Sequence, residues 1–315
     1  MLHIQSEISL SDTSHVNANY AADESDRRHQ DAFVLAFGMR GSHIGGFEDA
    51  KHVTCLTNGR LLISDYINSR LQVCTTKGGC LAVLDKDVKF PWAAVLTPDN
   101  NIAVTLCTER CVRIYSMDGD LLQMFGENLF VCPTGIACDD KGRMIVCDAK
   151  TDKVSVFDKY GNFVRFLGNF DRVEETFSKP GYVCISVNGD IIISDSGNHK
   201  IKVFDAECNF VKAFGSFGRG DGQFKCPYDV ATNVFGNIFV ADHYNSRISV
   251  FTRDGVFIRH MLCSKHGLLH PQGVTVTTDN HLVVTHGHLK ATEILVFRLA
   301  IESTKPYRCD IIEYV

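Results

Sequence analysis

The sequence predicts an all-β protein, folded as a six-bladed β-propeller. Three observations support this fold class. Apolar side chains alternate over short runs, Gly, Asn and Asp separate the runs, and the same order of runs recurs along the chain. The copies are 41 to 47 residues apart, a period that is typical of propeller blades when the repeat contains only short strands. The residue before the first run of each copy is Ala50, Pro91, Pro133, Pro180, Pro227 or Pro271.

Composition restricts the classes of function. The chain has 315 residues, 45% of them hydrophobic, and a formal net charge of −5, so no overall basic character indicates DNA binding. The sequence has no apolar run of the length that spans a membrane, and its start lacks the charged and apolar regions of a signal peptide. The 13 cysteines show no CxxC and no zinc-site spacing. We therefore expect reduced, buried thiols, a cytoplasmic protein, and no metal or other cofactor.

In chain order, residues 1–31 are polar and aperiodic, which predicts a disordered extension. The propeller is expected to span residues 32–300, and residues 301–315 form a tail. Within the propeller, FVLAFG at 33–38 is a single strand, and six copies of a four-strand unit follow it. We name the strands of each copy a to d. The turns between them carry Gly, Asn and Asp, which tolerate positive φ or form side-chain turn bonds.

The last copy ends after its third strand, at ILVFRL (294–299). The simplest assembly adds the strand at 33–38 to this last blade, which closes the ring and removes exposed sheet edges. In the alternative, the tail sequence CDIIEYV (309–315) supplies the closing strand.

An aspartate ends strand b in four of the six copies, at Asp65, Asp148, Asp195 and Asp242. Because a catalytic group is normally present once, this recurrence favours a structural role. We expect each carboxylate to cap backbone N–H groups of the next loop along the chain. No catalytic residue is expected.

A second recurring pattern follows these aspartates and opens strand c. It reads Asn-x-Arg or Asn-x-Lys, at Asn68–Arg70, Asn198–Lys200 and Asn245–Arg247. Together with the IxVF runs and the GRGDGQF loop, it makes the copies at 179–215 and 218–251 resemble NHL repeats. The whole span 33–299 resembles the six-bladed propeller at the C-terminus of tripartite-motif NHL proteins. The second and sixth copies depart from the pattern, since they lack both the aspartate and the Asn-x-Arg sequence.

The resemblance implies that one face of the propeller binds single-stranded RNA, expected to be uridine-rich, and that the protein acts in post-transcriptional repression of mRNA. That face consists of the b–c loops and the segments before strand a. It carries 11 basic residues against 8 acidic ones. If the four recurring aspartates are capped, the free charge is about +7. The opposite face carries 6 basic residues against 11 acidic ones, so an acidic chain is predicted to have a basic face.

Aromatic and histidine side chains are predicted on the same face, where flat rings can stack on unpaired bases. The predicted RNA-binding residues combine these rings with the cations. They are Lys51, His52, Tyr66, Arg70, Trp92, Arg110, Lys150, Lys179, Tyr182, His199, Lys200, Lys225, Tyr228, His243, Tyr244, Arg247, Gln272 and His288. Rings at such positions can instead pack between blades.

Two other functions remain open. The same exposed rings and arginines would suit a protein-interaction platform, for example the substrate or partner receptor of a ubiquitin ligase or of an RNA-silencing complex. A metal-dependent lyase would use His286 and His288, because some NHL-type propellers are lyases with histidine-bound metal. The His-x-His sequence alone leaves a tetrahedral site incomplete.

Overall fold

A computed structural model describes residues 32–299, and within this range the chain forms six four-stranded antiparallel sheets. The predicted six-bladed β-propeller is therefore confirmed. The predicted disordered extension (1–31), the tail (301–315) and its alternative closing strand lie outside the described residues.

The strands follow the predicted order. Strand a begins at the alignment residue in blades 1 to 5, whereas in blade 6 it begins at Val274, three residues after Pro271. The first strands are β1 (Ala32–Phe37), β2 (Met39–Arg40) and β3 (Gly46–Phe47). Blade 1 contains β4 (Ala50–Cys55), β5 (Leu61–Asp65), β6 (Arg70–Cys74) and β7 (Cys80–Leu84). Blade 2 contains β8 (Pro91–Leu96), β9 (Ile102–Leu106), β10 (Cys111–Tyr115) and β11 (Leu121–Phe125). Blade 3 contains β12 (Pro133–Cys138), β13 (Met144–Asp148), β14 (Lys153–Phe157) and β15 (Phe163–Phe166).

The second half of the ring repeats this order. Blade 4 contains β16 (Pro180–Ile185), β17 (Ile191–Asp195), β18 (Lys200–Phe204) and β19 (Phe210–Phe214). Blade 5 contains β20 (Pro227–Thr232), β21 (Ile238–Asp242), β22 (Arg247–Phe251) and β23 (Phe257–Leu262). Blade 6 contains β24 (Val274–Val276), β25 (His281–His286) and β26 (Glu293–Arg298). Single 3-10 turns occur at Ser196–Asn198, His243–Asn245 and Ser264–His266.

Ring closure uses the N-terminal strand, as predicted. Strand β1 pairs antiparallel with β26, so the last sheet has the order β1-β26-β25-β24. The sequence did not predict the short parallel pair of β2 with β3, which precedes blade 1.

The core consists of six apolar clusters, one at each junction between neighbouring blades of the described ring. Strands b and c supply most of these side chains, because they lie in the middle of each sheet and both of their faces contact another blade. In blade 1, for example, all ten residues of β5 and β6 are buried. Burial of this apolar surface is the main source of stability.

Outer strands expose the edge of each sheet, and five blades disrupt this edge in the same way. The pairing of strand c with strand d shifts register, so that the second residue of strand d bulges outward. A bulge twists the edge away from a flat, pairing-competent geometry and so opposes edge-to-edge aggregation.

The cysteines differ from expectation. Cys74 is bonded to Cys80 across the c–d turn of blade 1, and Cys107 is bonded to Cys132 across the junction of blades 2 and 3. The prediction of reduced thiols is wrong for these four residues, because the fold brings each pair together. The other eight cysteines of the described range are thiols, and burial raises the pKa of Cys138 to about 12.

Helices are almost absent from the described residues. None of those present is long and apolar enough to cross a membrane.

Candidate functional site on the top face

We call the side of the ring where strand a begins and strand b ends the top face. In blades 3, 4 and 5 the proline that opens strand a pairs with the aspartate that ends strand b. The segments before strand a and the b–c loops therefore lie together on this face, as the sequence analysis assumed.

The recurring aspartates are structural and cap backbone N–H groups, as predicted. Only Asp148 caps the loop that follows it, whereas Asp65, Asp195 and Asp242 cap the segment before strand a. Oδ1 of Asp242 accepts a hydrogen bond from the Lys225 backbone N–H (2.8 Å), and Oδ2 accepts from the Asn245 side chain (2.7 Å). Asp65 and Asp195 repeat this arrangement with Glu48 N–H and Ser178 N–H. Asp148 accepts from four backbone N–H groups, of residues 131, 132, 150 and 151. Each carboxylate thus fixes the segment that leads into strand a.

Arg70 and Arg247 belong to this scaffold rather than to the surface. The Nε atoms of the two arginines lie 2.9 and 2.8 Å from Asp65 and Asp242, respectively. Their remaining N–H groups donate to carbonyl oxygens of the Gly-rich loops before strand a. The side chains are 8% and 5% exposed, so we leave both out of the candidate interface.

In blade 4 the buried aspartate pairs with a lysine at a different position of the repeat. Lys200 occupies the repeat position of Arg247 but is exposed, and Lys202 two residues later is buried. The Lys202 Nζ lies 2.9 Å from Asp195 and over the Phe177 ring. Lys202 therefore neutralises the buried carboxylate, and Lys200 is left facing solvent. The sequence analysis did not single out Lys202.

Four lysines form a basic arc across blades 3 to 5. Lys150 lies in the b–c loop of blade 3, Lys200 is the first residue of β18, and Lys179 and Lys225 lie just before strand a. Lys225 is half-buried and the other three are exposed. None of the four forms an ion pair within residues 32–299. Arg110 is exposed in the corresponding loop of blade 2.

Lys51, Tyr66 and Trp92 form a packed group at the junction of blades 1 and 2. The Lys51 Nζ lies 2.9 Å from Asp49 and within 5.6 Å of the centres of both rings. The two rings meet edge to face, with centres 5.6 Å apart. The ammonium charge of Lys51 is thus already compensated, although the rings remain half exposed.

Three predicted residues lie below the surface, around the ring axis. Tyr182 is 1% exposed, and its hydroxyl donates to the Lys51 carbonyl (2.9 Å). His52 stacks on Tyr182, and burial lowers the His52 pKa to about 4. Gln272 is 4% exposed and donates to Asp49 (3.2 Å). These side chains support the face from beneath.

A row of rings extends from this buried layer to solvent at the junction of blades 5 and 6. Tyr228 stacks on His243 with ring centres 5.1 Å apart, and His243 contacts Tyr244 and His270. The ring centres of His270 and His288 are 6.2 Å apart. Tyr244 is 54% exposed. Burial lowers the pKa of His243 and of His270, so the two rings are predominantly neutral at pH 7 and can stack.

Several exposed rings on this face were missed by the sequence analysis. Phe90 directly precedes strand a of blade 2, and the half-buried His270 precedes Pro271 in blade 6. Both residues have a left-handed backbone conformation (φ 48° and 44°). Phe217 is 64% exposed and contacts His199, whose ring also accepts the Cys226 N–H. The available signal for Phe90 was its position before the strand-a proline, because Lys179 at the same position of blade 4 is also exposed.

The His-x-His sequence does not form a metal site here. The ring of His286 is 4% exposed and bonds through its two nitrogens to Glu293 (3.0 Å) and to the Leu269 N–H (3.3 Å). His288 instead faces solvent beside His270. Within residues 32–299, no three His, Cys, Asp or Glu side chains are placed to hold one metal ion.

Known proteins resemble this chain at two levels. The NHL repeat family model matches residues 177–204, which include the aspartate and Asn-x-Lys sequence of blade 4. Protein brain tumor of Drosophila melanogaster is 28% identical over 153 residues, covering 45% of this chain and 14% of that protein. The B-box type zinc finger protein ncl-1 of Caenorhabditis elegans is 28% identical over 147 residues, covering 44% and 17%. The matched region is therefore less than a fifth of either relative.

Solved structures confirm the fold at lower identity. A catalytically inactive virginiamycin B lyase from Staphylococcus aureus is 10% identical with a TM-score of 0.62, covering 86% of this chain and 99% of the lyase. A gluconolactonase from Xanthomonas campestris is 13% identical with a TM-score of 0.64, covering 86% and 97%. At such identities the likeness concerns architecture alone. The repeat match, the two curated relatives and the six closed blades together show a six-bladed β-propeller that contains an NHL repeat and is similar to the propeller of tripartite-motif NHL proteins.

Proposed function

We propose that the top face binds single-stranded RNA, and that the protein is a binding module of cytoplasmic mRNA repression rather than an enzyme. The observation that carries this proposal is the basic arc of Lys150, Lys179, Lys200 and Lys225 beside the row of rings at Tyr228, His243 and Tyr244. Cations without internal partners attract phosphates, and exposed flat rings stack on unpaired bases. The resemblance to tripartite-motif NHL proteins favours short, uridine-rich RNA.

The distribution of charge on the top face supports RNA as the ligand. The buried aspartates of the top face are each compensated, by Arg70, Lys202, Arg247 or backbone N–H groups. Their carboxylates therefore do not cancel the exposed lysines. Asp229 is also buried, and desolvation raises its pKa well above the usual range.

The test measures the affinity for a uridine-rich 12-mer across a range of salt concentrations. Each phosphate contact on a single strand contributes about −0.7 to the slope of log K against log salt, so four lysines predict a slope of about −2.8. The double variant Lys179→Glu/Lys200→Glu should weaken binding at least about tenfold and reduce the slope by about 1.4. The double variant Lys77→Glu/Lys141→Glu, on exposed turns of the opposite face, is the matched control. Equal affinities of the two double variants would refute the assignment of the face.

A protein partner is the second candidate. The exposed Phe90 and Phe217 rings favour it, because aromatic side chains dominate protein hot spots. Such a partner could belong to a ubiquitin ligase or to the RNA-silencing machinery. A protein partner would be favoured if the protein showed no RNA affinity, and if its binding to the partner depended weakly on salt and was unchanged in the lysine variants.

A further inference from the structure

Neighbouring blades are joined on the top face by a repeated hydrogen bond. At four junctions, a b–c loop residue in the left-handed conformation accepts a hydrogen bond from the backbone N–H that precedes the next strand a. The residues at both ends of each bond have φ between 44° and 60°. The bonds join Ser69 Oγ to Phe90 N (3.3 Å), Asp152 Oδ1 to Lys179 N (2.6 Å), His199 Nδ1 to Cys226 N (3.0 Å) and Ser246 Oγ to His270 N (3.2 Å).

The junction of blades 2 and 3 lacks this bond. Its left-handed residue is Arg110, whose side chain has no acceptor atom. The N–H of Cys132 turns to Asp148 instead (3.1 Å). The disulfide between Cys107 and Cys132 spans this junction, with the Cα atoms 4.5 Å apart. A disulfide is therefore present at this junction, whereas four of the other five junctions have the repeated hydrogen bond.

The two disulfides of the described chain differ in their surroundings. Cys107 and Cys132 are both half-buried and lie on the top face. The other disulfide lies within blade 1, across the opposite end of the sheet, and its Cys74 is fully buried. Small thiols attack the more accessible sulfur first, because exchange requires in-line approach to the S–S bond.

We propose that Cys107 and Cys132 form a reversible thiol–disulfide couple, which reacts with low-molecular-weight thiols and disulfides of the glutathione type and fastens the b–c loop of blade 2 to blade 3. In the reducing direction, a glutathione thiolate attacks one sulfur and the other cysteine leaves as a thiolate, which takes up a proton. A second glutathione thiolate resolves the mixed disulfide and releases the second cysteine. Two glutathione molecules are oxidised to glutathione disulfide as the protein disulfide is reduced.

The fastened loop carries Arg110, which is exposed on the top face. Reduction removes the disulfide across this junction, and no side-chain hydrogen bond of the repeated kind replaces it. The loop should then open more often, and Arg110 should become a weaker phosphate contact. This consequence rests on the proposed RNA binding, whereas the couple itself does not.

The experiment compares the oxidised wild type with protein treated with about 5 mM glutathione, a concentration chosen to represent a reducing cytosol. Thiols are counted by maleimide labelling and mass spectrometry, and opening is followed by amide hydrogen exchange at residues 107–113 and 129–134. We expect labelling of Cys107 and Cys132 without denaturant, and faster exchange in both segments. The variant Cys107→Ser/Cys132→Ser should show the fast exchange in either condition. Cys74→Ser/Cys80→Ser should respond as the wild type does.

Two results would overturn the couple: no labelling of Cys107 and Cys132 without denaturant, or labelling with unchanged exchange at both segments. RNA affinity is measured on the same samples, and reduction should lower it about threefold, since one phosphate contact is affected. Equal RNA affinity of the oxidised and reduced protein would show that this disulfide does not regulate RNA binding. Absence of RNA binding in either state would reject the proposed function, while labelling and exchange would still decide the couple.

Discussion

Replacing Arg247 with alanine should destabilise the propeller far more than replacing Lys200, although both residues occupy the same position of the repeat. Arg247 is 5% exposed, and its guanidinium donates to Asp242 (2.8 Å) and to the carbonyl oxygens of Arg219 and Gln223. Its removal leaves a buried carboxylate without its cation and releases the loop before strand a. Breaking one side of a buried ion pair costs about 3–5 kcal/mol in free energy of unfolding.

Lys200 provides the matched control, because Lys202 compensates Asp195 in its blade. We expect Lys200→Ala to change stability by no more than about 0.5 kcal/mol, as for an ordinary surface substitution. Lys202→Met should lower the free energy of unfolding by about as much as Arg247→Ala, because it also removes the cation beside a buried carboxylate. For a domain of this size, about 4 kcal/mol corresponds to a midpoint shift of roughly 10 °C.

The assay is urea unfolding and thermal melting of the three variants beside the wild type. A smaller loss for the double variant Asp242→Asn/Arg247→Met than for Arg247→Ala would show that the unpaired carboxylate is the cause. Equal stability of Arg247→Ala and Lys200→Ala would refute the reasoning. A stable Arg247→Ala protein that has lost RNA affinity would instead return Arg247 to the binding surface.

Two further predictions concern the region around the ring axis. Burial lowers the His52 pKa to about 4, so the unfolded chain binds more protons between pH 6.5 and 4, and this part of the stability is present above pH 6.5 and lost as pH falls. Between pH 7 and pH 5, the free energy of unfolding, measured with urea, should therefore fall by about 2 kcal/mol less for His52→Gln than for the wild type. Equal decreases in the two proteins would contradict the lowered pKa of His52. Gly135→Ala should cost about 3 kcal/mol or more, because an added Cβ would lie 2.4 Å from the Tyr182 Cα. Gly79→Ala, with its nearest neighbour at 3.5 Å, should be close to neutral in the same thermal melt.

Much of the architecture could be predicted from local sequence. Alternation of apolar residues and regular turn residues depend on neighbours in the chain, so the number of blades and the strand order were predictable. The missing fourth strand of the last copy also predicted closure by β1. The recurrence of Asp65, Asp148, Asp195 and Asp242 correctly indicated a structural, capping role, although three of these carboxylates cap the segment before strand a rather than the next loop.

The candidate site was less predictable, since exposure depends on contacts between distant segments. Tyr182, two residues after its proline, is buried and its hydroxyl donates to the Lys51 carbonyl, 131 residues away in sequence, whereas Tyr228, one residue after its proline, is half-buried. The pairing of Cys107 with Cys132 likewise requires two blades to meet.

The sequence by itself determined the repeat, its period, its capping aspartates and the side of the ring on which basic residues gather. Only the tertiary structure decided which of those basic residues face solvent. Arg247 and Lys200 share one position of the repeat, yet Arg247 is buried and Lys200 is exposed. The difference arises because Lys202, a residue outside the recognised pattern, pairs with the aspartate of blade 4. The physical reason is that a buried carboxylate must be compensated, and any cation within reach can do this once the blade has folded.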